Sequence, residues 1–399
     1  MSNIVITQLG KCLVSAGYED SKPVWFECRK DSEGPMVGNI YVGKVITVVK
    51  NIQAAFIQIA PGLNCYYSLK DNPEPFYVKR LGKKELVQGD EILVQVEKEA
   101  LKTKDPVVTS NINLPGKYMA LTTGNQKLGI SQKLSEKKRN ELKEVFQKFD
   151  LKGNGVVVRT NAATAALEEL EQELKQLMET LTHILDIAKY RTAFSLLYKA
   201  EDFYIQQLRN LPVGTLEKVV TDNKVIYEEI KAYFLKYQPE AVGKLHFYED
   251  TSMPLGALYN LSRDLERALA KNVWMKSGAY LVIEVTEACT VIDVNTGKYD
   301  GRNKDKQKTF LKINLEAAKE AANQIRLRNL SGMILVDFID LEKEEDKAYL
   351  MQEFHNYLKK DSVPVTLVDL TKLQLAELTR KKIKKPLHEQ IALNDLRGV

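Results

Sequence analysis

Apolar and polar residues alternate in three rhythms along the chain, and each rhythm predicts a different kind of element. Residues 3–8, 12–15 and 23–28 read as strands, followed by a charged turn from Asp31 to Gly34. From Val37 to about Pro115 the texture is all-β. Short apolar runs at 40–49, 54–59, 63–68, 92–96 and 106–109 are separated by Gly, Pro and Asn. That length and rhythm fit a five-stranded barrel of the OB type, or any other small β-barrel. Between 116 and 195 the spacing turns helical, with Leu142, Val145, Phe146 and Phe149 on one face. A strand-like Val156-Val157-Val158 then runs into Arg159-Thr160. Leu167, Leu170, Leu174, Leu177, Leu181 and Ile184 step by three and four. This stripe predicts a long helix with a heptad seam, one arm of a helical hairpin or a short coiled coil.

After Tyr190 the pattern alternates between a helix over 193–211, a strand over 218–222, a helix over 226–237 and a strand over 244–248. Residues 273–370 continue this α/β texture. They hold strands at 280–285, 290–295, 332–339 and 363–367, with helices near 309–328 and 346–359. A helical stretch over 373–378 leads into the basic run Arg380-Lys381-Lys382-Ile383-Lys384-Lys385. No internal repeat or low-complexity segment interrupts the order.

Two of these strands end in carboxylates. Val291-Ile292-Asp293-Val294-Asn295 places Asp293 and Asn295 on one face, with Val294 turned away. The run Met333-Ile334-Leu335-Val336 delivers Asp337, with Asp340 three residues on. Two strand-end carboxylates and a neighbouring amide suit a hard, oxygen-ligated cation such as Mg2+. On spacing alone, strand caps or pairs with Lys or Arg fit equally well.

Composition narrows the class. The 399 residues exceed what one core usually supports, so about two to four domains are expected. The 44% hydrophobic and 28% charged content is that of an ordinary soluble protein. A net charge of +5 is modest, so affinity for a polyanion has to come from local patches. Cys12, Cys28, Cys65 and Cys289 are far apart, which suggests neither a disulfide framework nor a compact zinc site. The four histidines are equally scattered, leaving little support for a His-based metal site. With no leader-like N-terminus and no apolar run of about 18 residues, the chain reads as cytoplasmic with no membrane partner.

Local groups suited to nucleic acid are present. Phe56 and Tyr66 fall on successive strands of the β region, and Lys104 falls in the loop before its last strand. Aromatic faces accept stacked bases at about 1–3 kcal/mol each, and a Lys supplies a phosphate contact. By itself Phe56, within Ala-Ala-Phe-Ile, reads as well as a core residue. The guanidinium of Arg159 beside the Thr160 hydroxyl suits a terminal phosphate, or forms a surface ion pair. The basic run at 380–385 suits a phosphate backbone, or a solvated helix end.

Taken in order, these segments resemble the catalytic region of the ribonuclease E/G family over residues 3–382. Gly38-Asn39-Ile40-Tyr41-Val42-Gly43-Lys44 through Ala54-Ala55-Phe56 resembles the start of its RNA-binding barrel. Gly129-Ile130-Ser131 and Gly155-Val156-Val157-Val158-Arg159-Thr160 resemble its 5′-end sensor. Four further segments are similar to its catalytic subdomain: Asp293-Val294-Asn295-Thr296-Gly297, Asn314-Leu315-Glu316-Ala317-Ala318, Arg326-Leu327-Arg328-Asn329-Leu330 and Asp337-Phe338-Ile339-Asp340. They occur in the family's order within 48 residues.

The resemblance implies an α+β multidomain chain. An RNase H-like subdomain (1–36 and 196–270) is split by an OB-type RNA-binding β-barrel (37–115) and a 5′-sensor subdomain with a helical hairpin (116–195). A DNase I-like α/β catalytic subdomain (271–399) follows. It further implies that Asp293 and Asp337 hold a catalytic Mg2+ supported by Asn295. Phe56, Tyr66 and Lys104 would grip RNA beside the cut, with Tyr66 where a Phe is usual. Arg159 and Thr160 would form the 5′-monophosphate pocket. The family's C-P-x-C zinc stretch has Leu387-His388-Glu389-Gln390 in its place, and no Cys follows Cys289. Zinc is therefore not expected, and a homodimer would form by a route other than a shared zinc. The scaffold tail and membrane-binding helix of the larger members are likewise not expected, which makes the chain resemble a compact catalytic core. The expected activity is Mg2+-dependent cleavage of single-stranded RNA in processing or decay, as in ribosomal RNA maturation or messenger turnover. It would be stimulated by a 5′-monophosphate and leave 5′-phosphate and 3′-hydroxyl ends. A non-catalytic RNA-binding protein of the same architecture is the alternative, and a phosphoesterase acting on DNA or small molecules a third reading.

Overall fold

Strand Ser2–Leu9 has one local neighbour, the antiparallel Cys12–Glu19, which in turn pairs with Lys22–Lys30. Its other edge is completed from far along the chain, by the parallel strand Leu216–Thr221. The computed structural model describes residues 2–30, 37–82, 85–100, 105–297 and 306–392. The turn expected at Asp31 to Gly34 and Lys104 therefore both lie outside the described residues. Within the chain, residues 1–33 and 216–399 form one unit, and residues 34–215 a second.

The first unit holds two sheets. In the five-stranded sheet, Leu245–Phe247, Leu216–Thr221, Ser2–Leu9, Cys12–Glu19 and Lys22–Lys30 lie side by side. Val5, Val14, Ala16 and Phe26 pack there with Leu261 and Leu265 of helix Leu261–Leu269. The six-stranded sheet runs Asn272–Trp274, Tyr280–Val285, Cys289–Asn295, Gly332–Asp337, Leu375–Arg380 and Val365–Leu370. Strands Cys289–Asn295 and Gly332–Asp337 are parallel, so their connection must cross over, and helix Lys306–Leu327 makes that crossover. Ala317, Ala318 and Ala321 keep the helix face smooth, and they pack with Ile313 and Ile325 against Ile283, Ile292, Ile334 and Val336. All of these are nearly or fully buried, so this layer contributes hydrophobic stabilisation to the unit.

One element differs from expectation here. Residues 375–380 are a strand, not a helix, because Ala376, Leu378 and Arg380 point inward at period two while Thr379 faces out. The basic run that follows is accordingly not a free helix end. Arg380 is buried and its guanidinium donates to Asp361 at 2.8 and 3.3 Å, and Lys384 pairs with Glu27 at 2.5 Å.

In the second unit, Ile40–Val49, Ala54–Ala60, Leu63–Ser68, Val107–Thr109 and Glu91–Lys98 pair in sequence. Pairing of Ile40–Val49 with Glu91–Lys98 then closes a five-stranded barrel. Ile57, Ile59, Cys65, Tyr67 and Val94 fill it. Beside it, Asn113–Pro115, Met119–Thr122, Gly155–Val158 and Leu128–Ile130 form a four-stranded sheet. Helix Leu167–Ala188 carries the leucine stripe, and the core it joins is built mainly from a sheet, with Leu142 and Phe146 of helix Glu136–Phe146 in the same cluster. Leu170, Leu174, Leu181 and Ile184 share one core with Leu114, Met119, Leu121, Val156 and Val158. An apolar stripe at this spacing needs only an apolar partner, and the sheet supplies most of it. The expected helix over 193–211 divides into strand Leu196–Tyr198, which extends the barrel sheet at Ile40–Val49, and helix Phe203–Asn210. Among the described residues no helix is long and apolar enough to cross a membrane.

Candidate functional site

Asp293 and Asp337 are register partners on the adjacent parallel strands Cys289–Asn295 and Gly332–Asp337. Their neighbours Ile292, Val294 and Val336 point into the core, so both carboxylates project from the opposite face of the sheet. Asn295, two residues on from Asp293, shares that face, and its Nδ2 donates to Asp293 Oδ2 at 2.7 Å. The Asp337 carboxyl is held above the usual carboxylate range, first by partial burial and then by the negative charges of Asp293 and Asp340. Among the described residues no cluster of three or more His, Cys, Asp or Glu side chains is positioned as a metal cage. The pair of carboxylates is what a hard cation would meet, and one or two carboxylates with retained waters is the usual magnesium arrangement.

Surrounding residues hold the acids rigidly. Phe338 is buried edge-on against Phe354, with centroids 5.5 Å apart, which anchors the loop between Asp337 and Asp340. Asn314, fully buried in helix Lys306–Leu327, donates to the Ile339 carbonyl at 2.7 Å and accepts from the Ile339 N–H at 3.0 Å. Glu316, on the same helix, accepts from the Lys276 N–H at 2.9 Å and so fixes the turn before strand Tyr280–Val285. Gly297 then follows with φ +64°, and a Cβ there would lie 2.1 Å from the Gly278 carbonyl oxygen. Only glycine permits that approach. The sequence reading gave Asn314, Glu316 and Gly297 no individual role. The available signal was an Asn inside an apolar helix face, where a polar side chain needs a partner.

The other site residues lie in the second unit. Phe56 and Tyr66 are directly opposite each other on adjacent barrel strands, rings edge to face at 6.4 Å. Both are half-buried, and they alternate with Ile57, Cys65 and Tyr67, which face the barrel core. Phe56 is therefore an outward-facing residue and not part of that core cluster. Lys104 lies outside the described residues.

Parallel pairing of Leu128–Ile130 with Gly155–Val158 brings two distant sequence segments to one sheet end. Ser131 Oγ and Thr160 Oγ1 meet there at 3.1 Å, exposed. Arg159 Nη1 donates to Asn210 Oδ1 at 2.7 Å, and its backbone N–H donates to the Tyr118 carbonyl. The Tyr118 loop is itself held by the buried Glu173, which accepts from the N–H groups of Lys117, Tyr118 and Met119. Burial raises the Glu173 pKa against the pull of those donors. Ser131, Asn210 and Glu173 were not singled out as site residues, since their contacts form only across the fold.

Comparison with known proteins shows which family the chain resembles. The family model of the ribonuclease E/G family matches residues 113–383, which include Arg159, Thr160, Asp293, Asn295 and Asp337. The chain belongs to the ribonuclease E/G family. It is similar to Ribonuclease G of Salmonella typhimurium, with 32% identity over 383 residues, covering 92% of this chain and 77% of that protein. Ribonuclease G of Haemophilus influenzae is 34% identical over 371 residues, covering 90% and 75%. Ribonuclease E of a Nostoc species is 33% identical over 360 residues, covering 88% of this chain and 52% of that protein. Phe56 and Tyr66 fall before the span of the family model, in the part of the chain that these longer likenesses reach.

Proposed function

We propose that this member of the ribonuclease E/G family is an endoribonuclease of RNA processing or decay, hydrolysing single-stranded RNA with Mg2+ at the Asp293–Asp337 pair. The observation that carries the reading is the pairing of those carboxylates in register on adjacent strands, with Asn295 bonded to one of them. The donor set fits the ion: both groups are hard oxygen donors, and the negative charges of Asp293 and Asp340, which add to burial in raising the Asp337 pKa, are what a divalent cation offsets. When bound, Mg2+ supplies charge neutralisation at the scissile phosphate and activation of water. Asn295 keeps Asp293 in one orientation, and Asn314 keeps the Asp337–Asp340 loop in place. Attack by water rather than by the ribose hydroxyl would leave a 5′-phosphate and a 3′-hydroxyl.

In this proposal the barrel is of the OB type. Phe56 and Tyr66 offer base-stacking faces, and Lys104 a phosphate contact. Arg159, with Thr160 and Ser131 beside it, receives a 5′-monophosphate by charge-assisted hydrogen bonds. The five-stranded sheet of the first unit is the RNase H-like part, and the six-stranded sheet the DNase I-like part. The test is purified protein with Mg2+ and 5′-monophosphorylated single-stranded RNA. Asp293→Asn and Asp337→Asn should each slow cleavage about 100-fold or more, an effect of the size seen when one group stabilising developing charge is lost. Cleavage at the wild-type rate in either variant would reject the site. Arg159→Ala should bring the rate on 5′-monophosphate RNA down to that on 5′-hydroxyl RNA.

A further inference from the structure

The six-stranded sheet carries an aromatic pair on the same face as the acids. Trp274 lies on the edge strand Asn272–Trp274 and is 68% exposed, although burying an indole is among the larger hydrophobic gains open to a side chain. Its register partner is Tyr280, with ring centroids 4.8 Å apart and planes inclined by 42°. Tyr280 is in turn the register partner of Asn295. Trp274, Tyr280 and Asn295 thus form one row across the sheet, and Asn272, Val282, Asp293 and Asp337 form the next. The residues between the rows, Val273, Leu281 and Val294, turn to the core on the other side. Strands lie about 4.8 Å apart, so Tyr280 is one strand and Trp274 two strands, about 10 Å, from the strand that bears Asn295 and Asp293.

We propose that Trp274 and Tyr280 form a stacking platform for a base of the RNA strand next to the phosphate that is cut. The proposal rests on the nuclease reading above and adds a contact to it. A strand whose phosphate reaches Asp293 and Asp337 must lay its neighbouring nucleotides over the same sheet face. In the direction of the edge strand, that face presents two aromatic rings. Tyr280 props the indole from one side, and the exposed remainder of Trp274 is free for a base. Every base has a π-face, so the platform binds without sequence preference. It fixes the position of the strand rather than its identity.

Two readouts test this, one independent of cleavage. The chain has two tryptophans, Trp25 and Trp274, so Trp25→Phe leaves Trp274 as the single indole reporter. In that protein, carrying Asp337→Asn to keep RNA intact, single-stranded RNA should quench the indole emission. A scan of oligonucleotides each lacking one base should find a position where the quench is lost. Anisotropy of labelled RNA reports total binding in parallel. In otherwise unaltered protein, Trp274→Ala should raise KM for single-stranded RNA by roughly 5- to 150-fold, the range that about 1–3 kcal/mol per stacked base converts to. The rise in KM should exceed any fall in kcat. Trp274→Phe should recover most of it, and an unchanged melting temperature would show that the fold is intact.

RNA that binds without quenching, quenching that persists for every abasic oligonucleotide, or an unchanged KM in Trp274→Ala would each overturn the platform. Quenching with base dependence in a wild-type protein that does not cut RNA would reject the nuclease reading and keep the platform. Cleavage without quenching would do the reverse, and absence of RNA binding would reject both.

Discussion

Asn314 shows how much of the candidate site depends on a residue outside the carboxylate pair. Both hydrogen-bonding groups of the Ile339 peptide end on its side-chain amide, inside the protein. Asn314→Ala leaves that N–H and C=O without protein partners, and each such loss costs about 1–3 kcal/mol. The variant should melt earlier by an amount matching roughly 2–6 kcal/mol. It should also need more Mg2+ for half-maximal cleavage, because the Asp337–Asp340 loop is no longer held. An unchanged Mg2+ requirement together with lowered stability would mean that Asn314 supports the fold but not the site. Gly297→Ala makes a complementary prediction. Its Cβ would collide with the Gly278 carbonyl and its φ is left-handed, so cleavage should drop while the barrel unit keeps its own fold. At this scale the acids were legible and their supports were not. Asp293 and Asp337 stand out because each interrupts an apolar strand pattern. Asn314 lies among alanines and Ile313, and nothing in its spacing says that its partner is 25 residues away.

Among the elements, strand Leu375–Arg380 changes the meaning of the basic run. Counted as a helix, it left Arg380 at a solvated end. As a strand it aims Arg380 inward beside Ala376 and Leu378. There the guanidinium reaches Asp361 and also donates to Asn329 Oδ1 and the Leu330 carbonyl. Four apolar or polar alternations fit a short helix or strand about equally, and only pairing with Gly332–Asp337 decides between them. The buried pair yields a sharp expectation. Arg380→Ala strands the Asp361 carboxylate in the interior and should destabilise the first unit by about 3–5 kcal/mol. Replacing Arg380 and Asp361 together by Met and Leu should cost far less, since no charge is then left unpaired. Chemical denaturation of the three proteins checks the pattern, and equal losses in the single and double variants would show that packing, not charge, is at stake. The leucine stripe of Leu167–Ala188 teaches the same lesson. Its periodicity identified the helix and its buried face, while the partner turned out to be mainly strands contributed by residues 113–122 and 155–158.

For the whole molecule, the question is where the chain can be cut. The barrel and the sensor region look separable in sequence because their textures change near residue 115. Their packing is continuous instead. Ile40 and Leu93 of the barrel share a core with Leu114, Met119, Val156 and Leu174, and strand Asn113–Pro115 pairs with Met119–Thr122 across that point. Residues 196–215 join the same unit, through strand Leu196–Tyr198 on Ile40–Val49. The N-terminal strands, in contrast, belong with residues from 216 onward, because Ser2–Leu9 takes the parallel edge of Leu216–Thr221. Strand periodicity alone had no means of choosing that partner, since parallel pairing leaves no turn signal; the grouping of 1–36 with 196–270 came only from the family resemblance. Residues 34–215 expressed alone should therefore be soluble and melt in one cooperative transition. Residues 37–115 alone should not, because the cut removes the strand that covers Leu114 and exposes Ile40 and Leu93. A chain lacking residues 1–33 should aggregate, having opened the edge of Leu216–Thr221 and the apolar surface that Val5, Val14 and Phe26 cover. Circular dichroism melts of the first two fragments and the soluble yield of the third give the answer. A cooperative transition in 37–115, or its absence in 34–215, would show that the barrel rather than the shared core is the folding unit.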